Sequence, residues 1–179
     1  MKNNFQTVVI AGGCFWCTEA VFKRLKGVSE VVPGYAGSKI DNPTYEQVSS
    51  GNTGSAEAIK VTFDPSIITY NDLLSVFFAT HDPTTLNKQG ADTGTQYRSS
   101  IFYIDDNQKK VAQEYINKLN ESKKYYSPIV TKLEQFTKFY EAEPYHKDYY
   151  SRNRDNMYCQ IVIDPKIQKL YKEFKEIVK

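Results

Sequence analysis

Seven residues near the start of the chain, Ala-Gly-Gly-Cys-Phe-Trp-Cys at positions 11–17, bring together the groups that thiol chemistry needs. A cysteine reacts as its thiolate, and a helix N-terminus favours that anion through unpaired N–H groups and the helix dipole. Phe5 to Ile10 is apolar and rich in β-branched residues, which predicts a buried strand. Gly12 and Gly13 then permit a sharp turn, and a helical pattern begins at Cys14 or just after it. Strand, diglycine turn and helix start would set Cys14 among first-turn amides. Phe15 and Trp16, the chain's single tryptophan, would form an apolar wall beside it. The expectation is a redox nucleophile held as thiolate by the helix start.

Blander readings exist for the same residues. A free cysteine is often a small buried hydrophobe. The Cys14-x-x-Cys17 spacing is shared by thioredoxin-like redox motifs and zinc half-sites. Only three cysteines and two histidines (His81 and His146) occur in the chain, with no second paired cluster. A zinc site is therefore not expected, nor any other metal.

The elements that must position this centre can be read in outline. The stripe Cys17, Val21, Leu25 continues the helix, and Gly27 suits its C-terminal cap. Val28 to Val32 reads as a second strand stopped by Pro33-Gly34, and residues 35–55 as a long loop. In Ala58 to Phe63, Ile59, Val61 and Phe63 alternate with Lys60 and Thr62, the pattern of a half-buried strand. Thr69-x-x-Asp72 resembles a capping box for a helix burying Leu73, Leu74, Phe77 and Phe78. Residues 81–96 read as irregular, Arg98 to Ile104 as a strand, and Asp105 or Asp106 as the cap of a helix carrying Val111, Tyr115 and Leu119. Ile129 to Leu133 is a short strand candidate, Tyr140 to Cys159 has no period, and Asp164-Pro165 opens a final helix. Strands mixed with helices, with no repeat and no boundary, indicate one α+β or α/β domain built on a central sheet.

Bulk properties set the outer limits. A chain of 179 residues fits one domain with a proper core. A net charge of +2 gives no reason to expect nucleic acid or an acidic membrane as partner, and no stretch approaches the roughly 20 apolar residues of a membrane helix. With no signal-type start and an odd number of cysteines, the expected home is a reducing cytoplasm, where a disulfide would be transient. A monomer is the default expectation.

Three irregular stretches (35–55, 81–96 and 140–159) are candidates to converge on Cys14, since sites gather where loops leave strand ends. They carry Tyr35, Tyr45, Asp92, Tyr97 and the Tyr158-Cys159 pair, with Glu57 just beyond the first. Taken alone, Glu57 also fits a solvated carboxylate, and the tyrosines fit core residues with satisfied hydroxyls.

Six segments in order carry a resemblance: Gly-Cys-Phe-Trp-Cys at 13–17, Pro-Gly-Tyr-Ala-Gly at 33–37, Pro-Thr-Tyr-Glu-Gln-Val at 43–48, Gly54-x-Ala56-Glu57-Ala58, His81-Asp82-Pro83-Thr84-Thr85 and Gly94-Thr95-Gln96-Tyr97-Arg98-Ser99. Together they resemble the peptide methionine sulfoxide reductase A family, from Val8 to about Asp164. The resemblance implies a single domain over residues 1–179 with a central mixed sheet, flanking helices and a ferredoxin-like core. It implies reduction of methionine S-sulfoxide, free and in oxidised proteins, in protein repair under oxidative stress. Cys14 would be the nucleophile and pass through a sulfenic acid. Glu57 would be a protonated acid aided by Tyr45 and Tyr97, Asp92 a further polar group, and Phe15 and Trp16 the pocket for the S-methyl group.

By the same resemblance, Cys159 would resolve the sulfenic acid, in a stretch expected to be mobile. Cys17 is the alternative, expected to be disfavoured by burial. Thioredoxin, or dithiothreitol in vitro, would be the reductant, with no bound cofactor. Ser55 departs from the pattern, standing where the family often has histidine. Two rival readings stay open on the residues alone: a general thiol–disulfide oxidoreductase using Cys14 and Cys17, and a binding module for methionine-containing segments.

Overall fold

A computed structural model describes residues 4–179. Its centre is a six-stranded sheet in the order β7-β6-β1-β3-β2-β8. These strands are β1 (Gln6–Gly12), β2 (Val28–Ala36), β3 (Ala56–Phe63), β6 (Ser99–Tyr103), β7 (Lys132–Gln135) and β8 (Phe139–Glu141). Two further short strands, β4 (Lys88–Gln89) and β5 (Asp92–Thr93), form a separate small hairpin. β3 runs antiparallel between β1 and β2, β6 antiparallel to β1, and only β6 and β7 are parallel. The helices are α1 (Phe15–Phe22), α2 (Tyr45–Ser49), α3 (Tyr70–Thr80), α4 (Asp106–Glu121), α5 (Tyr149–Arg152) and α6 (Asp164–Glu173). This is a mixed α+β architecture on one central sheet. No helix among the described residues is long and apolar enough to cross a membrane.

Two of the central strands follow from their composition. β1 is buried from Val8 to Gly12, and β3 keeps Ile59, Val61 and Phe63 buried while Lys60 and Thr62 reach partly to water. Both strands end at the same place. The register Ile10↔Ile59 carries β1 two residues on to the Gly12–Gly13 turn and β3 two residues back to Glu57. Gly13 takes a φ of +89, a conformation open to glycine at no steric cost, and the chain passes directly into α1 with Cys14 as its N-cap.

Two capping boxes fix helix starts elsewhere. Thr69 and Asp72 bond reciprocally at the start of α3, as the spacing predicts. Thr44 and Gln47 do the same for α2, a helix inside the stretch read from sequence as loop. Asp105 accepts from the Gln108 N–H at 2.8 Å to cap α4.

β2 does not stop at Pro33-Gly34. It runs through to Ala36, paired with β3 along its length and with β8 at Gly34 to Ala36. Pro33 offers no N–H, but its carbonyl accepts from Ala142 at 3.0 Å. Gly34 is required by close approach: a Cβ there would collide with the Tyr140 carbonyl oxygen and the Phe139 ring. The aperiodic C-terminal stretch is also ordered. It holds β8, a 3₁₀ turn at Pro144–His146, α5 and a π-helical turn at Cys159–Ile163 that runs into α6. Buried Glu19 of α1 anchors it, accepting from the Asp148 N–H at 3.1 Å, while Lys23 bridges Glu19 and Asp148.

Gly34→Ala is expected to lower the free energy of unfolding by about 1–3 kcal/mol, the usual cost of overpacking. Urea denaturation measures this; an unchanged midpoint would contradict the close approach of β8.

Candidate active site

Cys14, Phe15, Trp16, Tyr45, Glu57, Asp92 and Tyr97 line one cavity of about 200 Å³, joined by Tyr158. They arrive from six places: the β1–α1 junction (Cys14, Phe15 and Trp16), the start of α2, the start of β3, β5, the 3₁₀ turn at Thr95–Tyr97, and the segment before the π-helical turn. The three irregular stretches therefore do converge on Cys14.

Glu57 is buried, 3% exposed, and its Oε2 accepts from the Phe15 N–H at 3.1 Å. This N–H belongs to the first turn of α1, so the amide lowers the carboxyl's pKa. Burial is the stronger influence and pushes Glu57 up to about 8. The carboxyl therefore keeps its proton at neutral pH. Tyr45 and Tyr97 are held above the usual phenol range, first by burial and next by Glu57. Both line the cavity and carry hydroxyl groups able to donate.

Cys14 departs from expectation. The helix start was to hold it as thiolate, yet burial, followed by the neighbouring Cys17 thiol, pushes Cys14 well above the normal thiol range. No first-turn amide offsets that burial: the Cys14 side chain makes no cap hydrogen bond, and the Phe15 N–H is given to Glu57. Cys17 is lowered instead, chiefly by its interaction with Cys14. At rest the cavity thus holds a neutral acid beside a neutral thiol.

The other two thiols lie behind Cys14. Cys17, 4% exposed, faces a smaller cavity of about 110 Å³ that also touches Cys14, Asp92 and Tyr158. Cys159, 0% exposed, packs in the same apolar cluster as both, with Tyr150, Ile163 and Ile167. The expected mobility of Cys159 is not what the structure shows, since it opens the π-helical turn inside that cluster. Burial, expected to count against Cys17, applies to both thiols alike. Among the described residues no group of three or more His, Cys, Asp and Glu could hold a metal ion.

Tyr158, read from sequence only as the neighbour of Cys159, holds the two cavities together. Its hydroxyl donates to Asp92 Oδ2 at 2.9 Å and lies 3.7 Å from Cys17 Sγ. Two further residues carried no local signal. Glu143 accepts from the Tyr35 hydroxyl at 2.9 Å and from the Tyr45 N–H at 3.0 Å, so Tyr35 supports the site from behind and does not line it. His146 is fully buried and its Nδ1 accepts from the Trp16 indole N–H at 3.0 Å. Burial lowers His146 and keeps it neutral, able to accept. Its Nε2 has no partner among the described residues. Tyr149 stacks on the Trp16 ring, with centroids 3.7 Å apart. Ser55 pairs with Thr53, whose hydroxyl donates to it at 2.9 Å, rather than with Glu57. A groove of about 540 Å³ between the end of α3 and the start of α6 holds none of these cavity-lining residues.

His146→Phe keeps the volume and removes the indole's acceptor. Trp16 emission is expected to shift and its quenching by acrylamide to rise; an unchanged spectrum and quenching constant would remove His146 from the positioning of Trp16.

The sequence matches the family described as Peptide methionine sulfoxide reductase over residues 6–178. A relative from Sulfolobus acidocaldarius named Peptide methionine sulfoxide reductase MsrA is 54% identical over 171 residues, covering 96% of this chain and 96% of its own. Among solved structures, Mxr1 from Saccharomyces cerevisiae in reduced form superimposes with a TM-score of 0.80 at 34% identity, covering 89% of this chain and 91% of that one. Mxr1 in complex with Trx2 aligns with a TM-score of 0.57 at 24% identity, covering 83% of this chain and 87% of that chain.

Proposed function

The chain belongs to the peptide methionine sulfoxide reductase family, which makes it a peptide-methionine (S)-S-oxide reductase, and we propose that it acts through a Cys14 sulfenic acid with Glu57 as proton donor. One observation carries this reading. A carboxyl that keeps its proton at neutral pH and the Cys14 thiol share a cavity of about 200 Å³ walled by Phe15 and Trp16.

A sulfoxide has an electrophilic sulfur and a basic oxygen, and reduction requires attack on one while the other is protonated. The Cys14 sulfur bonds to the substrate sulfur as the oxygen takes the Glu57 proton, with the hydroxyls of Tyr45 and Tyr97 donating hydrogen bonds to that oxygen. The hydroxyl oxygen then passes from the substrate sulfur to the Cys14 sulfur: a Cys14 S–O bond forms as the substrate S–O bond and the bond between the two sulfurs break, so methionine leaves and Cys14 is left as the sulfenic acid. The proton given up by the thiol restores Glu57, so no net proton is consumed in this half-reaction. Phe15 and Trp16 offer an apolar recess for the S-methyl group, and Asp92, tied to Tyr158, orders the polar rim.

A thiol packed behind Cys14 then condenses with the sulfenic acid, releasing water and leaving a disulfide. An external dithiol returns the chain to its thiol state. The complex of Mxr1 with Trx2 supports a thioredoxin in that role, with dithiothreitol as its laboratory substitute. The reading makes free or protein-bound methionine sulfoxide the substrate and needs no bound cofactor.

Racemic N-acetylmethionine sulfoxide with dithiothreitol tests the assignment. The wild-type chain is expected to stop at half conversion, with one epimer remaining, and Cys14→Ser to be inactive. Glu57→Gln is expected to slow the single-turnover step by about 10²–10⁴-fold. Because Glu57 is raised above its ordinary value, its proton is present at low pH and lost on the way up. The wild-type step should therefore fall as pH rises through about 8. A Glu57→Gln rate equal to wild type would remove the carboxyl from the chemistry.

A further inference from the structure

The cavity behind Cys14 has one charged wall that the sulfoxide chemistry does not use. Lys166 lies near the start of α6, which continues directly from the π-helical turn at Cys159–Ile163. Its Nζ donates to the Thr80 carbonyl at 2.7 Å. None of the ion pairs among the described residues involves Lys166. Lys166 lines the cavity of about 110 Å³ together with Cys14, Cys17, Asp92 and Tyr158. Lys166 thus stands between the open groove of about 540 Å³ on one side and the thiols of this cavity on the other, with no carboxylate in ion-pair contact.

We propose that Lys166 is a positioning residue for the resolving step: its ammonium is the counter-ion that holds Cys17 as a thiolate behind Cys14, making Cys17 the thiol that attacks the sulfenic acid. The inference rests on the reading that Cys14 carries that sulfenic acid. In the step, the Cys17 sulfur forms a bond to the Cys14 sulfur and the Cys14 S–O bond breaks. The oxygen leaves as water, taking the proton that Cys17 gave up on ionising, and the two sulfurs share the disulfide.

The charges around Cys17 are consistent with this. After Cys14, Lys166 is the next group that lowers Cys17, followed by Tyr158, while burial and Asp92 raise it. Burial first, with Cys17 adding to it, raises both Cys159 and Glu57, so neither is a better anion in this setting. Burial lowers Lys166 and Lys169 lowers it further, while Cys17, Cys14 and Asp92 favour its charge. His81, packed on the α3 side, is held neutral by burial and adds no competing cation. Cys159 lines neither this cavity nor the one in front of it.

The test is a single turnover of the full chain with methionine sulfoxide and no reductant. It reads methionine released, and disulfides trapped by rapid alkylation and mapped by mass spectrometry. Lys166→Met is expected to release methionine as the wild type does and to form the disulfide at least ten-fold more slowly at neutral pH. The pH profile of its disulfide step should move upward, and Lys166→Arg should restore most of the rate. A Lys166→Met chain with the wild-type disulfide rate and profile would overturn the proposal. A second measurement needs no Lys166 variant. In the wild-type chain the first disulfide should be Cys14–Cys17, and a first disulfide joining Cys14 to Cys159 overturns the proposal while leaving the sulfenic acid reading intact. Failure of the wild type to release methionine without reductant would instead sink that reading, and the proposal with it.

Discussion

One hydrogen bond, from the Phe15 N–H to the Glu57 carboxyl, ties the structure to its chemistry. It joins residues 42 positions apart, closing the end of β3 onto the start of α1. The antiparallel register of β1 and β3 brings both strand ends to the same level, and the Gly12–Gly13 turn drops Cys14 beside the carboxyl. β2 then covers the far side, with Tyr35 paired opposite Glu57 in the sheet and held by Glu143. Glu143 also fixes the backbone of Tyr45, so the same carboxylate sets the sheet and one wall of the cavity.

That bond is made inside an apolar setting, and the balance of the two effects decides the site's resting state. A first-turn amide favours a carboxylate, but full burial disfavours it more strongly, and the proton stays. Cys14 is subject to the same burial without the amide, so it too rests neutral. The helix start therefore serves the acid rather than the nucleophile. Charge is kept on the other side of Cys14, where Lys166 and Cys17 face each other across a separate cavity. The two halves of the reaction cycle use opposite faces of one sulfur: neutral groups face the substrate, and on the proposed reading the Lys166 ammonium and the Cys17 thiolate lie behind it.

Local patterns made much of this legible. β-branched residues before a diglycine marked β1 and the turn. Strict alternation marked Ile59, Val61 and Phe63, and Thr69-x-x-Asp72 marked α3. The same capping pattern at Thr44-x-x-Gln47 was available and would have revealed α2. Pro33-Gly34 misled because its effect is non-local: the glycine is needed by β8, more than a hundred residues later. The stretch before Cys159 has no period because it is organised by single contacts, Trp16 on Tyr149 and His146, and Asp148 on Glu19. The roles of Glu57 and the tyrosines came from family resemblance, since the burial of a carboxyl depends on strands that composition cannot pair. Tyr158 entered only as the neighbour of Cys159, and Glu143, His146 and Lys166 had no local signature at all.

The central claim is that Glu57 rests as a neutral acid, and infrared difference spectroscopy tests it most directly. Comparing the wild type with Glu57→Gln over a range of pH isolates the absorption of this one carboxyl. The account predicts a protonated C=O band at pH 7 that disappears with a midpoint near 8. A carboxylate signature already complete at pH 7 would contradict it, leaving the cavity without its proton donor.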